Sequence, residues 1–374
     1  MKILYLDNVA SHYRKAVFLL MDKTFDIDYL FGASLGDIKQ MDTSILRGHV
    51  EKTQTKRVFG RWYWQPGLIG KLFKSYDKYL LIGETHALST WLFCMLANLI
   101  GKRKRVYFWT HGWYGKESGI ERSVKKFYYR LAGGGLFLYG NYARELMIKE
   151  GFNPEKLYVI HNSLDYSNQL ALRNNCGLTE IYKKHFGNDN PVLVMIGRLN
   201  MRKHLDMLIE AVSILRGKGG FYNIVLIGDG EDKEKLVAIS ESLGISDQVW
   251  FYGACYDEGT NANLIFNADL CVVPGDVGLT AIHSMMFGTP VISHNHFPFQ
   301  GPEFEAIVPG ITGEFFEFGS VDSLSKSISE WFEKHNDRDK VRAECYHEID
   351  TQWTPEFQIG VLSSNLTKMN TQDL

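Results

Sequence analysis

Two cationic residues stand where an apolar run gives way to a helical pattern. In VMIGRLNMRKH (194–204) the run stops at Gly197, Arg198 follows at once, and Lys203 comes five residues after it. A guanidinium and an ammonium group beside the N–H groups of a helix start are suited to bind a diphosphate. The alternative is that both charges are simply solvated.

A second candidate site lies in PGDVGLTAIHSMMFGTPVIS (274–293). A glycine-bearing loop leaves the apolar run LCVV and enters a helix whose first turns carry His283. Anions such as phosphates are favoured ligands of such helix N-termini. A neutral imidazole can accept a hydrogen bond through one ring nitrogen.

Two further glycine-bearing strand ends have the same form. VLIGDGE (225–231) contains Gly228 but is not the GxGxxG fingerprint, which argues against a dehydrogenase. In FYGACYDEG (251–259), Tyr252 and Gly253 could stack on a base or hydrogen-bond to it. Glycine permits close backbone approach to a ligand, although tight turns need glycine as well.

Short apolar runs that alternate with amphipathic segments must position these residues. The helical patterns include 204–219 and 231–244. Such alternation predicts an α/β protein with parallel sheets covered on both faces. The strand candidates are 2–8, 79–83, 106–112, 136–140, 157–162, 192–199, 223–230, 249–254, 270–275 and 290–294.

A chain of 374 residues is too long for one ordinary core. We expect two doubly wound, Rossmann-like domains, 1–186 and 187–345, joined near GNDNP and facing each other across a ligand cleft. The segment 346–374 is expected to form a C-terminal helix that packs back on the first domain.

The order GRL…RK, IGDG, FYG, PGDVGLTAIHSMMFGTPVIS and PEFEAIVPGITGEFF resembles the donor-binding domain of retaining glycosyltransferases of family 4, the glycosyl transferases group 1, which have the GT-B fold. His111 in FWTHGWYGKE resembles the histidine of the family's first domain. KLYVIHNSLD (156–165) is similar to the family's segment before the interdomain linker.

The resemblance implies a hexosyltransferase-like enzyme that moves a sugar from a nucleoside diphosphate, with UDP favoured, to a hydroxyl with retained configuration. It implies neither cofactor nor metal, since Arg198 and Lys203 stabilise the leaving diphosphate. His111 would contact the donor sugar, and front-face attack is the favoured route. The donor-binding residues would be Gly197, Gly228, Tyr252, Gly253, Asp276, Gly278, Leu279, Thr280, His283 and Glu305.

The sequence departs from the family pattern at two glutamates that lie eight positions apart. Gly275 and His283 occupy these positions. Asp276 supplies the first charge if the loop shifts, and His283 is either a substituted ribose contact or a packed structural histidine. In the first domain, His12 and Arg14 fall in the first loop, which in this fold faces the acceptor and the donor phosphate, with a capping or solvated role as the alternative.

The net charge of −2 hides an asymmetry between the halves. Residues 1–187 hold 28 Lys/Arg against 16 Asp/Glu, and residues 188–374 hold 13 against 27. The stretch 53–75 contains five basic residues, three Trp/Tyr and no acid. This pattern indicates either a solvated basic surface or attraction to an anionic membrane or lipid-linked acceptor. Nucleic-acid binding is a third possibility, but no recognition motif in the sequence supports it.

The longest apolar run, 88–100, has 13 residues and is too short to cross a bilayer. We expect no signal peptide, reduced cysteines and a cytoplasmic enzyme, peripheral at the inner membrane face. Cell-surface polysaccharide assembly, as in capsule or lipopolysaccharide, is the expected role. The alternatives are a sugar-nucleotide epimerase or hydrolase of the same fold, and a non-catalytic sugar-nucleotide-binding protein.

Overall fold

The computed structural model describes residues 1–33 and 38–367. The chain divides into two compact units, Met1–Asp165 with the C-terminal segment that begins at Thr354, and Tyr166–Trp353. These divisions differ from those expected at 186/187 and 345/346. The helices between 166 and 186 belong to the second unit because they pack on one of its own helices, where the Tyr182 hydroxyl donates to the Leu264 carbonyl at 2.6 Å.

The first unit alternates strands and helices. Its strands are β1 (Lys2–Asp7), β2 (Asp26–Gly32), β3 (Val50–Thr53), β4 (Lys56–Phe59), β5 (Trp62–Trp64), β6 (Lys78–Ile82), β7 (Val106–Thr110), β8 (Gly135–Leu138) and β9 (Leu157–Val159). Its helices up to the second unit are α1 (Lys15–Thr24), α2 (Leu68–Lys71), α3 (Leu88–Leu99), α4 (Gly119–Arg130) and α5 (Asn141–Lys149).

The second unit repeats this alternation. Its strands are β10 (Val192–Ile196), β11 (Asn223–Ile227), β12 (Val249–Gly253), β13 (Leu270–Val273), β14 (Val291–His294) and β15 (Gly313–Phe316). Its helices are α6 (Tyr166–Arg173), α7 (Ile181–Phe186), α8 (Leu205–Gly217), α9 (Lys233–Ser242), α10 (Glu258–Asn267), α11 (Thr280–Met286), α12 (Val321–Lys334) and α13 (Arg338–Gln352). The helix α14 (Pro355–Leu366) follows and belongs to the first unit.

Within the described residues, each unit contains one main parallel sheet. The strand orders are β3-β2-β1-β6-β7-β8-β9 and β12-β11-β10-β13-β14-β15, and β4 and β5 form a separate antiparallel hairpin. The second order reads 3-2-1-4-5-6, that of a Rossmann-like fold. The α/β prediction is confirmed. The sequence reading missed β2, β3, β15 and the hairpin, whose apolar runs are short or interrupted by charges.

Successive residues of a strand point to opposite faces of the sheet, and helices cover both faces of the first sheet. Leu4 and Leu6 lie in a cluster with residues of α2, α3 and α4. Ile3 and Tyr5 lie in the opposite cluster, which also contains Leu362 of α14 together with residues of α1. The helix α14 therefore completes the core on the α1 side.

The second sheet reverses its winding direction between β10 and β13. The chain runs outward from β10 through β11 to β12, then returns to pair β13 with the other edge of β10. Ligands of open α/β sheets bind beyond the carboxyl ends of strands at such a reversal. In the part of the chain that the structure describes, none of the helices combines the length and apolar character needed to span a bilayer.

Candidate functional site

The two stretches that the sequence singled out meet at the β10–β13 reversal. The backbone N–H groups of Gly275 and Asp276 donate to the carbonyls of Lys203 and Arg202 at 2.9 and 3.0 Å. The Thr280 hydroxyl donates to the carbonyl of Ile196, the last residue of β10, at 2.9 Å. The loop after β10 and the loop after β13 are thus held side by side.

Lys203 is anchored in the second of these loops. Its ammonium group donates to the backbone carbonyls of Asp276 and Val277. Burial lowers the pKa of Lys203, and the Asp276 and Glu303 carboxylates partly oppose this shift. Arg198 is exposed and lies on the same loop, immediately after Gly197. Both predicted cations therefore lie at the carboxyl edge of the sheet.

The Asp276 carboxylate connects three segments of this edge. One oxygen accepts from the Arg202 guanidinium at 2.7 Å, and the other accepts from the Gly301 N–H at 2.8 Å. Because both oxygens are engaged, the structure gives Asp276 an ordering role in the loop. Gly278 follows with φ 51°, a backbone conformation that glycine adopts readily, and leads through Leu279 into α11.

Gly228 lets the ends of β10 and β11 approach each other closely. The N–H of Gly228 donates to the Gly253 carbonyl at 2.9 Å. A Cβ atom at Gly228 would lie 1.8 Å from the carbonyl oxygen of Gly197. Beside Gly253, the half-buried Tyr252 ring contacts Trp250 at a centroid distance of 5.1 Å. Gly228 thus has a packing role, whereas Gly197 and Gly253 adopt φ values of 141° and 92°, which favour glycine.

His283 has a carboxylate partner that the sequence reading missed. Its Nε2 atom lies 2.9 Å from a carboxylate oxygen of Glu258, the first residue of α10. The same oxygen accepts from the Gln169 amide at 2.8 Å. Burial alone would raise the pKa of Glu258, but the bonds from His283 and Gln169 bring it below its usual value. In sequence, Glu258 resembles an ordinary first-turn helix acid, because Asp257 caps α10.

Two glutamates follow β14 in a short 3₁₀ helix, Pro302–Ala306. Glu303 is buried, whereas Glu305, the predicted donor contact, is half-buried. A further residue missed by the sequence reading is Gln300. Its side chain accepts from the Val277 N–H at 2.9 Å and donates to the His294 carbonyl at 3.0 Å, which couples this segment to the loop after β13.

His294 closes β14 as a neutral imidazole. Burial lowers the pKa of His294 to about 4, and its Nδ1 atom accepts from the His296 N–H at 3.1 Å. Among the residues that the structure describes, no three His, Cys, Asp or Glu side chains are grouped so that they could hold a metal ion.

His111 lies in the first unit, directly after β7, and is exposed. Its ring centroid is 4.7 Å from that of Tyr139. A cavity of about 670 Å³ opens beside it, lined also by Glu84 and Tyr114. Burial raises the pKa of Glu84, which accepts from the Tyr63 hydroxyl at 2.9 Å.

The two predicted acceptor-side residues differ in position. His12 is exposed, but Arg14 is buried, with 4% of its surface accessible. Its guanidinium donates to the Asp7 carboxylate at 2.7 Å and lies 4.3 Å from the centre of the Trp109 ring. The prediction of an acceptor contact at Arg14 conflicts with this position, because its guanidinium group is buried and paired with the Asp7 carboxylate.

Most of the second unit matches a known protein family. Residues 179–347 match the profile of the Glycosyl transferases group 1 family. This segment is a group 1 glycosyltransferase domain. The group 1 domain thus covers β10 to β15, including Gly197, Lys203 and His283.

Curated relatives match the chain over part of their length. It is 30% identical over 145 residues to the lipopolysaccharide core biosynthesis glycosyltransferase LpsE of Rhizobium meliloti, which covers 38% of this chain and 39% of LpsE. It is 26% identical over 213 residues to a glycogen synthase of Francisella tularensis, covering 54% and 42% of the two chains. The matched region thus spans about two fifths of these relatives.

Among solved structures, HepE of Anabaena in complex with UDP has a TM-score of 0.73 to this chain at 16% identity. The match covers 99% of this chain and 100% of HepE. The same HepE has been solved with UDP-glucose. Together with the group 1 domain, this likeness shows that the chain has the GT-B fold, as the sequence predicted.

Proposed function

We propose that this protein is a retaining glycosyltransferase that moves a sugar from a nucleoside diphosphate, with UDP favoured, to a hydroxyl of a glycan or lipid-linked acceptor. The observation that carries the proposal is the position of Arg198 and Lys203 at the β10–β13 reversal of a group 1 domain. Two cations at the expected ligand edge are suited to hold a diphosphate.

The proposed chemistry is stabilisation of the leaving group. Negative charge develops on the diphosphate as the bond to the anomeric carbon breaks, and fixed cations lower the energy of that state. Lys203 has two of its three N–H donors on loop carbonyls, so the third is available to a phosphate oxygen. The loop after β13 thereby orients the ammonium group before substrate arrives.

The remaining predicted contacts are proposed for the nucleoside and the sugar. Because Glu258 accepts from Nε2 of His283, the other ring nitrogen is an acceptor for a ribose hydroxyl when the ring is neutral. The backbone around Tyr252 and Gly253 would face the base. Gly197, Gly228, Gly278, Leu279 and Thr280 would shape the phosphate edge, and Glu305 and His111 would contact the donor sugar.

The favoured base and the proposed role draw on the relatives. HepE binds UDP and UDP-glucose, which supports a UDP-sugar donor here. LpsE acts in lipopolysaccharide core biosynthesis, which supports a role in cell-surface polysaccharide assembly. The basic first half of the chain supports an anionic, lipid-linked acceptor and a peripheral position at the inner membrane face.

Donor binding is tested by thermal shift with UDP-, GDP- and dTDP-sugars. A donor at a hundred times its dissociation constant adds about 2.7 kcal/mol to the free energy of unfolding. We expect Arg198→Ala and Lys203→Ala to reduce this gain strongly, while Lys218→Ala, which removes an exposed lysine of the same unit, leaves it unchanged. Equal shifts in all four proteins would refute the site.

Transfer is tested by measuring nucleotide release with and without membrane extracts that contain lipid-linked glycans. The proposal expects release that depends on the extract, with label from the sugar recovered in lipid. Full-rate release without any acceptor would identify a hydrolase. Epimer formation would identify an epimerase, and tight binding without turnover would identify a non-catalytic binding protein.

A further inference from the structure

The outer surfaces of α3 and α4 carry apolar side chains that the core does not use. On α3 these are Leu92, Met95 and Leu99, and on α4 they are Ile120, Val124 and Phe127. Both sets recur at three- and four-residue spacing, so each forms a stripe along one helix face. The opposite faces are already buried, with Phe93 and Tyr128 fully enclosed in the first sheet's core.

The two stripes belong to one surface. The Trp91 ring of α3 stacks on the Phe127 ring of α4 at a centroid distance of 6.0 Å. The Asn98 amide donates to the Leu131 carbonyl at 3.2 Å, just past the end of α4. Phe73, which follows α2, extends the surface, since the Lys102 ammonium group donates to the Leu72 carbonyl at 2.7 Å. We call Phe73 and the two stripes the apolar face.

Exposure on this face is high for a water-facing surface. Phe73, Leu99 and Ile120 have 73%, 81% and 83% of their surface accessible. Large apolar side chains in contiguous exposed patches mark sites that another molecule or a membrane covers.

The part of the chain that carries the apolar face has an excess of positive charge. Residues 68–130 hold twelve Lys/Arg against four Asp/Glu. On α4, Arg122 and Lys126 pair with Glu150, which cancels part of this excess. Lys71 and Lys125 are buried in ion pairs with carboxylates and add no charge to the surface. By contrast, Arg103 and Arg105 donate to the backbone carbonyls of Arg130 and Tyr76, and these contacts leave the positive charge uncancelled.

Apolar side chains rimmed by Lys and Arg match an anionic bilayer surface, which offers acyl chains beneath negative headgroups. A second copy of this chain would bring the basic rims together, and like charges repel. We propose that the first unit docks on an anionic phospholipid surface through the apolar face. This deepens the proposed peripheral association and rests on it.

The geometry also relates the apolar face to the cavity beside His111. Ile120 and Val124 line that cavity as well as the apolar face, and Trp62 of the β4–β5 hairpin lines it from another side. Docking through α3 and α4 would bring the cavity mouth close to the headgroups. A lipid-linked acceptor would then reach His111 without leaving the bilayer.

The test is cosedimentation of the full chain with phosphatidylglycerol vesicles and with phosphatidylcholine vesicles. The variant F73S/L92S/L99S removes apolar side chains from the face, and none of the three lines the cavity beside His111. Its matched control is F221S/L178S/L243S, which makes the same substitutions at exposed positions of the second unit. We expect at least tenfold weaker binding of the first variant to phosphatidylglycerol vesicles and unchanged binding of the control.

Charge is tested by Lys74→Glu with Lys104→Glu, against Lys184→Glu with Lys218→Glu in the second unit. More than about a fivefold loss for each lysine changed to glutamate is expected only for the first pair, because loss of the lysine alone costs about fivefold and the new carboxylate is repelled. Added salt should weaken wild-type binding. Equal losses of vesicle affinity in the two double variants would overturn the proposal. Vesicle binding that is unchanged by the apolar substitutions would overturn it as well.

Two further outcomes would also overturn it. One is absence of any binding to phosphatidylglycerol vesicles. The other is a concentration-dependent dimer that the F73S/L92S/L99S variant loses, which would assign the face to a second copy. The thermal shift with UDP-sugars is measured on every variant in parallel. A variant that keeps this thermal shift but no longer binds vesicles is folded. The two measurements thereby separate a failure of donor binding from a failure of membrane docking.

Discussion

The Nε2 atom of His283 lies 2.9 Å from a carboxylate oxygen of Glu258, although 25 positions separate the two residues in the chain. The contact joins α10 to α11, the helix that follows the loop holding Lys203. A carboxylate at this distance fixes both the ring orientation and the nitrogen that carries the proton.

We expect Glu258→Ala to lower the free energy of unfolding by about 1–2 kcal/mol, because the His283 ring and the Gln169 amide lose their acceptor. A double-mutant cycle with His283→Ala should give a coupling energy of about 1 kcal/mol. Urea denaturation of the four proteins measures it. Strictly additive losses would mean that the two side chains do not interact.

The bond between His283 and Glu258 also predicts that the free energy of unfolding depends on pH in the acid range. Because the pKa of Glu258 is lowered below its usual 4.5, its contribution to stability is fully present above 4.5 and is lost as the pH falls through the folded pKa. Urea midpoints measured from pH 6 down to about 3 should therefore fall more steeply for wild type than for Glu258→Gln. Parallel curves would contradict the prediction.

Lys203 predicts a base-side dependence of nucleotide affinity. Burial lowers its pKa below the usual 10.5, so the ammonium group loses its proton earlier than an exposed lysine as the pH rises. We expect UDP affinity to decline as the pH rises towards 10.5, the usual pKa of lysine. Lys203→Arg keeps its charge throughout this range. Deprotonation of the nucleotide's own base affects both proteins equally. Isothermal titration should show a smaller decline for this variant.

Gly228 predicts a backbone effect. Gly228→Ala should lower the free energy of unfolding by more than about 2 kcal/mol, since its Cβ would lie 1.8 Å from the Gly197 carbonyl oxygen. Gly217, at the end of α8, has open space at its Cβ position. Gly217→Ala should be neutral or stabilise by about 0.5–1 kcal/mol. Urea denaturation distinguishes the two, and similar losses would show that the β10–β11 approach is not tight.

Arg14 predicts a loss of stability. Arg14→Ala leaves the Asp7 carboxylate buried without its partner and should cost about 3–5 kcal/mol. His12→Ala, at an exposed position two residues away, should change the free energy of unfolding by less than about 0.5 kcal/mol. Thermal denaturation compares them. A harmless Arg14→Ala would return this residue to the list of candidate acceptor contacts.

Much of the architecture was readable because the information is local. β10 is apolar throughout, and β1 and β11 contain the apolar runs ILYL and IVLI, as expected of central strands buried on both faces. The breaks at Gly197, Gly228 and Gly253 marked strand ends directly. β15 escaped notice because its four residues, GEFF, are an edge strand defined by pairing with β14.

The sequence by itself determined that two cations follow β10 and that a histidine follows the glycine loop after β13. Only the tertiary structure decided the partners of these groups. Glu258 meets His283 because α10 and α11 lie side by side, and Arg14 is buried because Asp7 ends the strand beneath it. Periodicity records which face of an element is apolar, whereas the pairing of charges depends on distances between residues far apart in the chain.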